Sequence, residues 1–216
     1  MMKTCRMIFF ALAAALAFSA LHARTVGDFF VAATGDAVHA LPQNKRAEML
    51  AYLREAGRVV PAETEYGEEA AMLRVTDNYL KVRLSAASEL EMLMLTQGRD
   101  TVIYMVQTVL TPAPDSRIMA INPQGKILNL DKLFKAPQMK DFVRIPRGSK
   151  LKTSQVLAAV RFPLISYSID DSLLTITARH HTEAITPADD YKLIAPCLAD
   201  SLVYRPSGIR FKKVKK

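Results

Sequence analysis

With 216 residues, half of them apolar, the chain can bury one large core or two small ones without staples. Its formal charge of +8 gathers at the ends, with Lys3 and Arg6 at the start and Lys212, Lys213, Lys215 and Lys216 at the finish, so the body between is close to neutral. With no tryptophan, and no strand on which basic residues interleave with stacking aromatics, that distribution argues against a nucleic-acid-binding face.

The first element is a leader. Lys3 and Arg6 precede the unbroken apolar run Met7 to Phe18, and Ser19 to Ala23 then offers a small residue for cleavage at Ala23. Charge, apolar core and small residue in that order describe a signal peptide. The run is short of the roughly 20 residues that a membrane-spanning helix needs. The sequence therefore predicts a chain exported through the inner membrane, periplasmic or at the cell surface, with no stable membrane span once residues 1–23 are removed. Cleavage also takes Cys5, which leaves Cys197 alone and no intramolecular disulfide. No family-type cysteine motif surrounds Cys197, so it reads as a small buried apolar residue.

Residues 24–57 read as a helical hairpin. Thr25 with Asp28 suggests a capping box, and Phe29, Phe30 and Ala33 follow at helical spacing up to a stop at Gly35. Asn44 is the expected cap of a second helix with the stripe Met49, Leu50, Leu53, Ala56 and a stop at Gly57. Lys45, Arg46, Glu48 and Arg54 are expected on its other faces.

The apolar period then changes from 3.6 to two. Met72 to Thr76 is a short strand. Tyr79 to Ser85 alternates, with Leu80, Val82 and Leu84 on one side and Lys81 and Arg83 on the other. Glu89 to Leu95 and Thr101 to Leu110 follow, and the second is apolar on both faces (Val102, Ile103, Met105, Val106), as a central strand is. Arg117 to Ile121 is the next strand, and Pro123-Gln124-Gly125 is expected to turn it back into a strand at Lys126 to Leu128. Residues 129–160 are irregular or briefly helical, with Thr153 as a cap.

Strands resume at Ser168, where a strand, Asp170-Asp171 and a second strand echo the pattern around Asp77-Asn78. Tyr204 to Phe211 likewise echoes Ile121 to Leu128. Two matches in one order suggest a duplicated unit, although hairpin turns also recur for local reasons. The sequence thus predicts an α+β fold: an N-terminal helical hairpin followed by an antiparallel β-meander, duplicated as two α+β halves at 24–130 and 131–211, with a basic tail at 212–216.

Chemistry is harder to find. No metalloprotease, nucleophile-elbow or phosphate-loop motif occurs. Ser149 to Lys152 satisfies Ser-x-x-Lys without that motif's companions. His180 and His181 would point to opposite faces of a strand, whereas His181 and Glu183 would share one. His39 lies far along the chain from both. The carboxylate pairs Asp170-Asp171 and Asp189-Asp190 suit turns better than a sugar cleft. The most individual stretch is Gln107 to Ile118, in which Pro112 and Pro114 stiffen a crossover and Asp115, Ser116 and Arg117 open the next strand. Arg117 there is suited to clamp a carboxylate. Asp115, Ser116, Arg117, His181 and Glu183 are the candidate binding residues. No catalytic constellation, metal site or cofactor is indicated.

Thr25 to Phe30, Asp77 to Leu84, Thr108 to Ile118 and Gly208 to Phe211 resemble a family of small exported proteins of Bacteroidales whose function is uncharacterised. The resemblance runs from the leader to the end of the chain and departs at Pro206-Ser207, where an aromatic-containing turn is expected. Its motifs are patterns of fold and bring no catalytic residue with them. The order of helices then meander, twice, is similar in architecture to tandem repeats of the β-lactamase-inhibitor-protein type. The expected function is a non-catalytic binding or interaction module of the cell envelope that meets an envelope protein, a peptide or a glycan. The alternative is a hydrolase built on His180, His181, Glu183 or the carboxylate pairs.

Overall fold

The computed structural model describes residues 24–34, 38, 40–160 and 162–214. The expected leader, the stop at Gly35, His39 and the last two lysines lie outside the described residues. Helix α1 (Val26–Ala32) begins at the expected box: the Thr25 N–H donates to Asp28 Oδ2 at 2.8 Å and the Asp28 N–H donates to Thr25 Oγ1 at 3.3 Å. Helix α2 (Gln43–Ala56) starts directly after Pro42, so Asn44 sits inside the first turn and is not the cap. It ends where expected, at Gly57 with φ of 62°, a left-handed position that glycine takes without steric cost. Gly27 lets the helices touch, since a Cβ there would lie 2.7 Å from Leu50 Cδ1. Arg46 departs from its expected outer face. It is buried, donates to the Phe30 carbonyl oxygen and lies 5.6 Å over the Phe30 ring, where hydrogen bond and cation–π contact offset its desolvation.

Six strands follow in sequential antiparallel order: β1 (Pro61–Glu63), β2 (Glu69–Val75), β3 (Tyr79–Ser85), β4 (Ser88–Gln97), β5 (Asp100–Val109) and β6 (Asp115–Ile121). Residues 126–128 form no further strand. Their contribution is an isolated bridge between Ile121 and Ile127 and a hydrogen bond from the Leu128 N–H to the Ala120 carbonyl. Register divides this sheet into two apolar faces. Leu80, Met92, Met105 and Met119 form a rung across β3 to β6 on the helix side. Tyr79, Leu93, Tyr104 and Ala120 form the next rung on the opposite side, and all four are buried.

The second sheet has four antiparallel strands, β7 (Ile165–Asp170), β8 (Thr175–His180), β9 (Ser201–Ser207) and β10 (Arg210–Lys213), in the order β10-β9-β8-β7. Its inner face carries Tyr167, Ile169, Ile176, Ala178, Leu202, Tyr204 and Phe211, which share one core with the second face of the first sheet. Phe134 plugs this core, edge-on to Tyr204 at 4.9 Å, Tyr167 at 5.7 Å and Phe211 at 6.1 Å between ring centroids. The first sheet therefore has a companion on each face, whereas the alternation of its strands suggested one half-exposed face. Lys212 and Lys213, expected in a free tail, belong to β10 because Phe211 anchors that strand in the core.

Helix α3 (Thr153–Ala159) starts at Thr153 itself; the cap position is Lys152, whose N–H donates to Gln155 Oε1 at 2.8 Å. Helix α4 (Ala188–Ile194) interrupts the second meander between β8 and β9. The architecture is α+β, with N-terminal helices, antiparallel meanders and two sheets that fit a two-half arrangement. Among the described residues, no helix is long and apolar enough to cross a membrane.

Candidate functional site

Strand β7 is an edge strand of the second sheet, so every other N–H along it has no partner within that sheet. Side chains of the first sheet supply the acceptors. The Ile165 N–H donates to Asp115 Oδ1 at 3.0 Å and the Tyr167 N–H to Ser116 Oγ at 3.1 Å, while the Ile169 N–H faces the buried Glu91 carboxylate. Ser116 Oγ is itself held by Thr108 Oγ1 at 2.7 Å. Beyond the strand, Asp171 pairs with Arg74 of β2 at 2.6 Å. In successive steps β7 thus meets β6, β4 and β2, crossing the strands of the first sheet. Asp115 and Ser116 stitch the two sheets together, with Asp115 Oδ1 and Ser116 Oγ engaged in that seam.

Glu91 is the buried member of the seam. Burial raises its carboxyl above the ordinary range, and hydrogen bonds from the Tyr79 hydroxyl and the Ile169 N–H, with the Lys81 charge, oppose the rise. The Tyr79 phenol is pushed far up in turn, by burial first and then by the Glu91 charge. Tyr167, buried near Asp115, is pushed up to about 12.

His181 stands beside the same seam. Its Nε2 lies 2.7 Å from Ser166 Oγ, and its pKa is lowered by burial and then by Arg179, with Asp115 acting in the opposite sense. Asp115, Ser116 and His181 are thus neighbours around the start of β7. Glu183 is not among them: it is exposed on a 3-10 turn (Thr182–Ile185) and makes no hydrogen bond or ion pair with a described residue. His180 packs edge-on to Phe142 at 5.2 Å between centroids. Asp170 holds its own turn by accepting from the Ser172 and Leu173 N–H groups at 3.0 Å each. Asp189 and Asp190 lie in the first turn of α4. Cys197 is buried. Among the described residues, no cluster of three or more histidine, cysteine, aspartate or glutamate side chains could hold a metal ion.

Arg117 points elsewhere, into a cavity of about 630 Å³ between α1 and the helix-side face of β5 and β6. The helices lie over β1 to β4, and past them this face opens at β6: Met119 and Ile121 are half-buried, while Ile103 and Met105 of β5 stay buried. Register grades its floor in three rungs: Ile103 with Ile121, Met105 with Met119, then Gln107 with Arg117. Phe29, Ala33 and Val38 form an apolar wall, and the turn at Asn122 to Gly125 closes the far end. Arg117 is exposed and forms no ion pair with a described residue. Asp28 also lines the groove, but Arg54 at 3.3 Å and the Thr25 cap already engage it. Strand alternation put these side chains on one face. The end of the sheet that two short helices fail to reach is a tertiary fact that no local pattern announces.

None of the curated proteins matches the chain. One similar solved structure is a domain of an uncharacterized protein from Porphyromonas gingivalis W83, with a TM-score of 0.75 over 88% of this chain and 98% of that one, at 22% identity. That is a likeness of fold. The family model described as a protein of unknown function (DUF3256) matches residues 18–211, a span that takes in both sheets and the groove between α1 and β6, and the chain belongs to that family.

Proposed function

We propose that the protein is an exported, non-catalytic binding module of the cell envelope, and that the groove between α1 and β5–β6 is its ligand seat. The observation that carries this reading is the open, graded flank of the first sheet at β6, where Met119 and Ile121 are half-buried beside the buried Ile103 and Met105. Ile103, Met105, Met119 and Ile121 line a concave space of about 630 Å³, within the size range of ligand sites, with Gln107 and Arg117 at one end. Methionines on such a floor adapt to the shape of what they receive. The leader supports the envelope location.

The test is direct. An environment-sensitive apolar dye, 1-N-phenylnaphthylamine, brightens on binding the full chain. Met119→Lys puts a charge on the half-buried floor and weakens that binding by about tenfold or more, in line with the cost of seating an apolar group against an unpaired charge. Equal dye binding by both chains refutes the groove as the seat.

A second reading, a hydrolase, has one observation in its favour, the Ser166–His181 hydrogen bond at 2.7 Å. Ser166 lies within a strand, its backbone paired with Arg179, and Asp115 Oδ1 accepts from the Ile165 N–H. A strained nucleophile turn and a base held by a third group are therefore not what surrounds it. Hydrolysis of p-nitrophenyl esters that disappears in Ser166→Ala would establish this reading over the first.

A further inference from the structure

Resting on the groove as the ligand seat, we infer that its occupant is a single unbranched apolar chain that ends in a carboxylate, a free monocarboxylic acid of medium or long chain. The floor has one direction. Two apolar rungs, Ile103 with Ile121 and Met105 with Met119, lead to one polar rung, Gln107 with Arg117. An extended ligand lying along β6 therefore meets the half-buried Met119 and Ile121, backed by buried Met105 and Ile103, and a guanidinium with a carboxamide at one end.

Charge decides which end group fits. Arg117 has no acidic partner among the described residues, and Arg24 adds a second cation to the lining. Among the described residues of the lining the one carboxylate, Asp28, is held by Arg54 and by the cap of α1. A guanidinium offers a planar fork that a carboxylate accepts in two parallel hydrogen bonds. At the opposite end, Asn122 spends its carboxamide oxygen on the N–H groups of Gln124 at 3.1 Å and Lys126 at 2.8 Å. The rung that carries a guanidinium stands at the other end.

The same geometry disfavours a peptide. Peptides joining a sheet draw much of their affinity from a free edge. Here the groove lies on the face of β5 and β6, whose floor offers side chains, and at the turn end of β6 the Leu128 N–H already takes the Ala120 carbonyl. A hydrocarbon chain needs no backbone partner.

The test is displacement of 1-N-phenylnaphthylamine from the full chain by decanoate and by decanol, which share a chain length and differ in the head. Decanoate is expected to displace the dye at a concentration about tenfold below that of decanol, the size of a charge-assisted hydrogen bond. Arg117→Gln is expected to erase that difference while decanol displaces as before, and Arg117→Lys to restore part of it. Arg117 is exposed, so both variants are expected to keep the fold. Equal displacement by decanoate and decanol on the unaltered chain overturns the carboxylate and leaves the groove standing. Dye that neither compound displaces overturns both. An apolar hexapeptide with a free C-terminus that outcompetes decanoate overturns the hydrocarbon chain as occupant.

Discussion

The two sheets are built from the same kind of antiparallel hairpins but live in different solvents. In the first, β4 and β5 are buried on both faces: Leu90, Met92, Ile103 and Met105 lie toward the helix side and Leu93, Leu95, Val102 and Tyr104 toward the second sheet. In the second, Ile176, Ala178, Leu202 and Tyr204 face inward while Arg179, Arg205 and Lys212 face water. The first sheet is the middle layer on which both other layers stand, and the second is a lid with a wet back. A strand covered on two faces reads as a nearly continuous apolar run, and one covered on a single face alternates. The difference between two similar meanders lies in what packs on them.

If the first sheet is the common foundation, the joint between the sheets is where damage is greatest. Phe134→Ala, which empties a fully buried site among Tyr167, Tyr204 and Phe211, is expected to cost about 3–5 kcal/mol, read from urea unfolding. The chain is expected to unfold in one transition, before and after the substitution. A variant in which the second sheet melts alone, ahead of the first, would break the picture of a shared foundation.

The seam offers a finer version of the same question. Ser116→Ala leaves the Tyr167 N–H and the Thr108 hydroxyl without their partner, at an expected cost of about 1–2 kcal/mol. Asp115→Ala frees the more exposed Ile165 N–H, which water can reach, and is expected to cost less than Ser116→Ala. Neither is expected to change dye binding in the groove. Loss of dye affinity in a Ser116→Ala chain of unchanged stability would return Ser116 to ligand binding.

Glu91 ties the comparison to pH. Because burial raises its folded pKa, the unfolded chain gives up this proton first as pH rises from the ordinary carboxyl value. In that window the folded state binds more protons, so this group's contribution to stability falls as pH rises toward its folded pKa. Glu91→Gln carries no titrating proton. The drop in melting temperature from pH 5 to pH 7 is expected to be smaller in Glu91→Gln than in the unaltered chain. A larger drop in the variant would mean that the Tyr79 and Ile169 hydrogen bonds outweigh burial.

Much of this layering was legible from periodicity. The alternation of Leu80, Val82 and Leu84, the double-faced apolar run in β5 and the box at Thr25 are each fixed within a few residues, and each stands in the structure as the pattern implied. Lys126 to Leu128 and Lys212 to Lys213 went the other way, because a strand needs a neighbour and a tail needs the lack of one, and neither is written locally. Arg46 misled for the same reason: its charge placed it outside, whereas Phe30 and its carbonyl give it a buried place. The candidate residues Asp115, Ser116 and Arg117 are consecutive; strand alternation explains why Ser116 and Arg117 part, while Asp115, at the first position of β6, reaches the seam at Ile165. Ser116 faces the seam and Arg117 faces the groove, and grouping all three as one candidate site could not separate them.

The smallest effects belong to the wet back of the second sheet. Arg205 and Lys212 are cross-strand partners there, exposed, like-charged and without an ion pair to a described residue. Like charges set directly opposite each other repel weakly, so Arg205→Ala is expected to leave stability unchanged within about 0.5 kcal/mol, with any shift toward stabilisation and fading as salt is raised. The same truncation on the first sheet has no such refuge, because each of its central faces is covered. Leu93→Ala, two layers in, is expected to cost about 2–5 kcal/mol in the same urea titration. If Arg205→Ala cost as much as Leu93→Ala, the back of the second sheet would have to be covered as well, and the asymmetry between the two sheets would be gone.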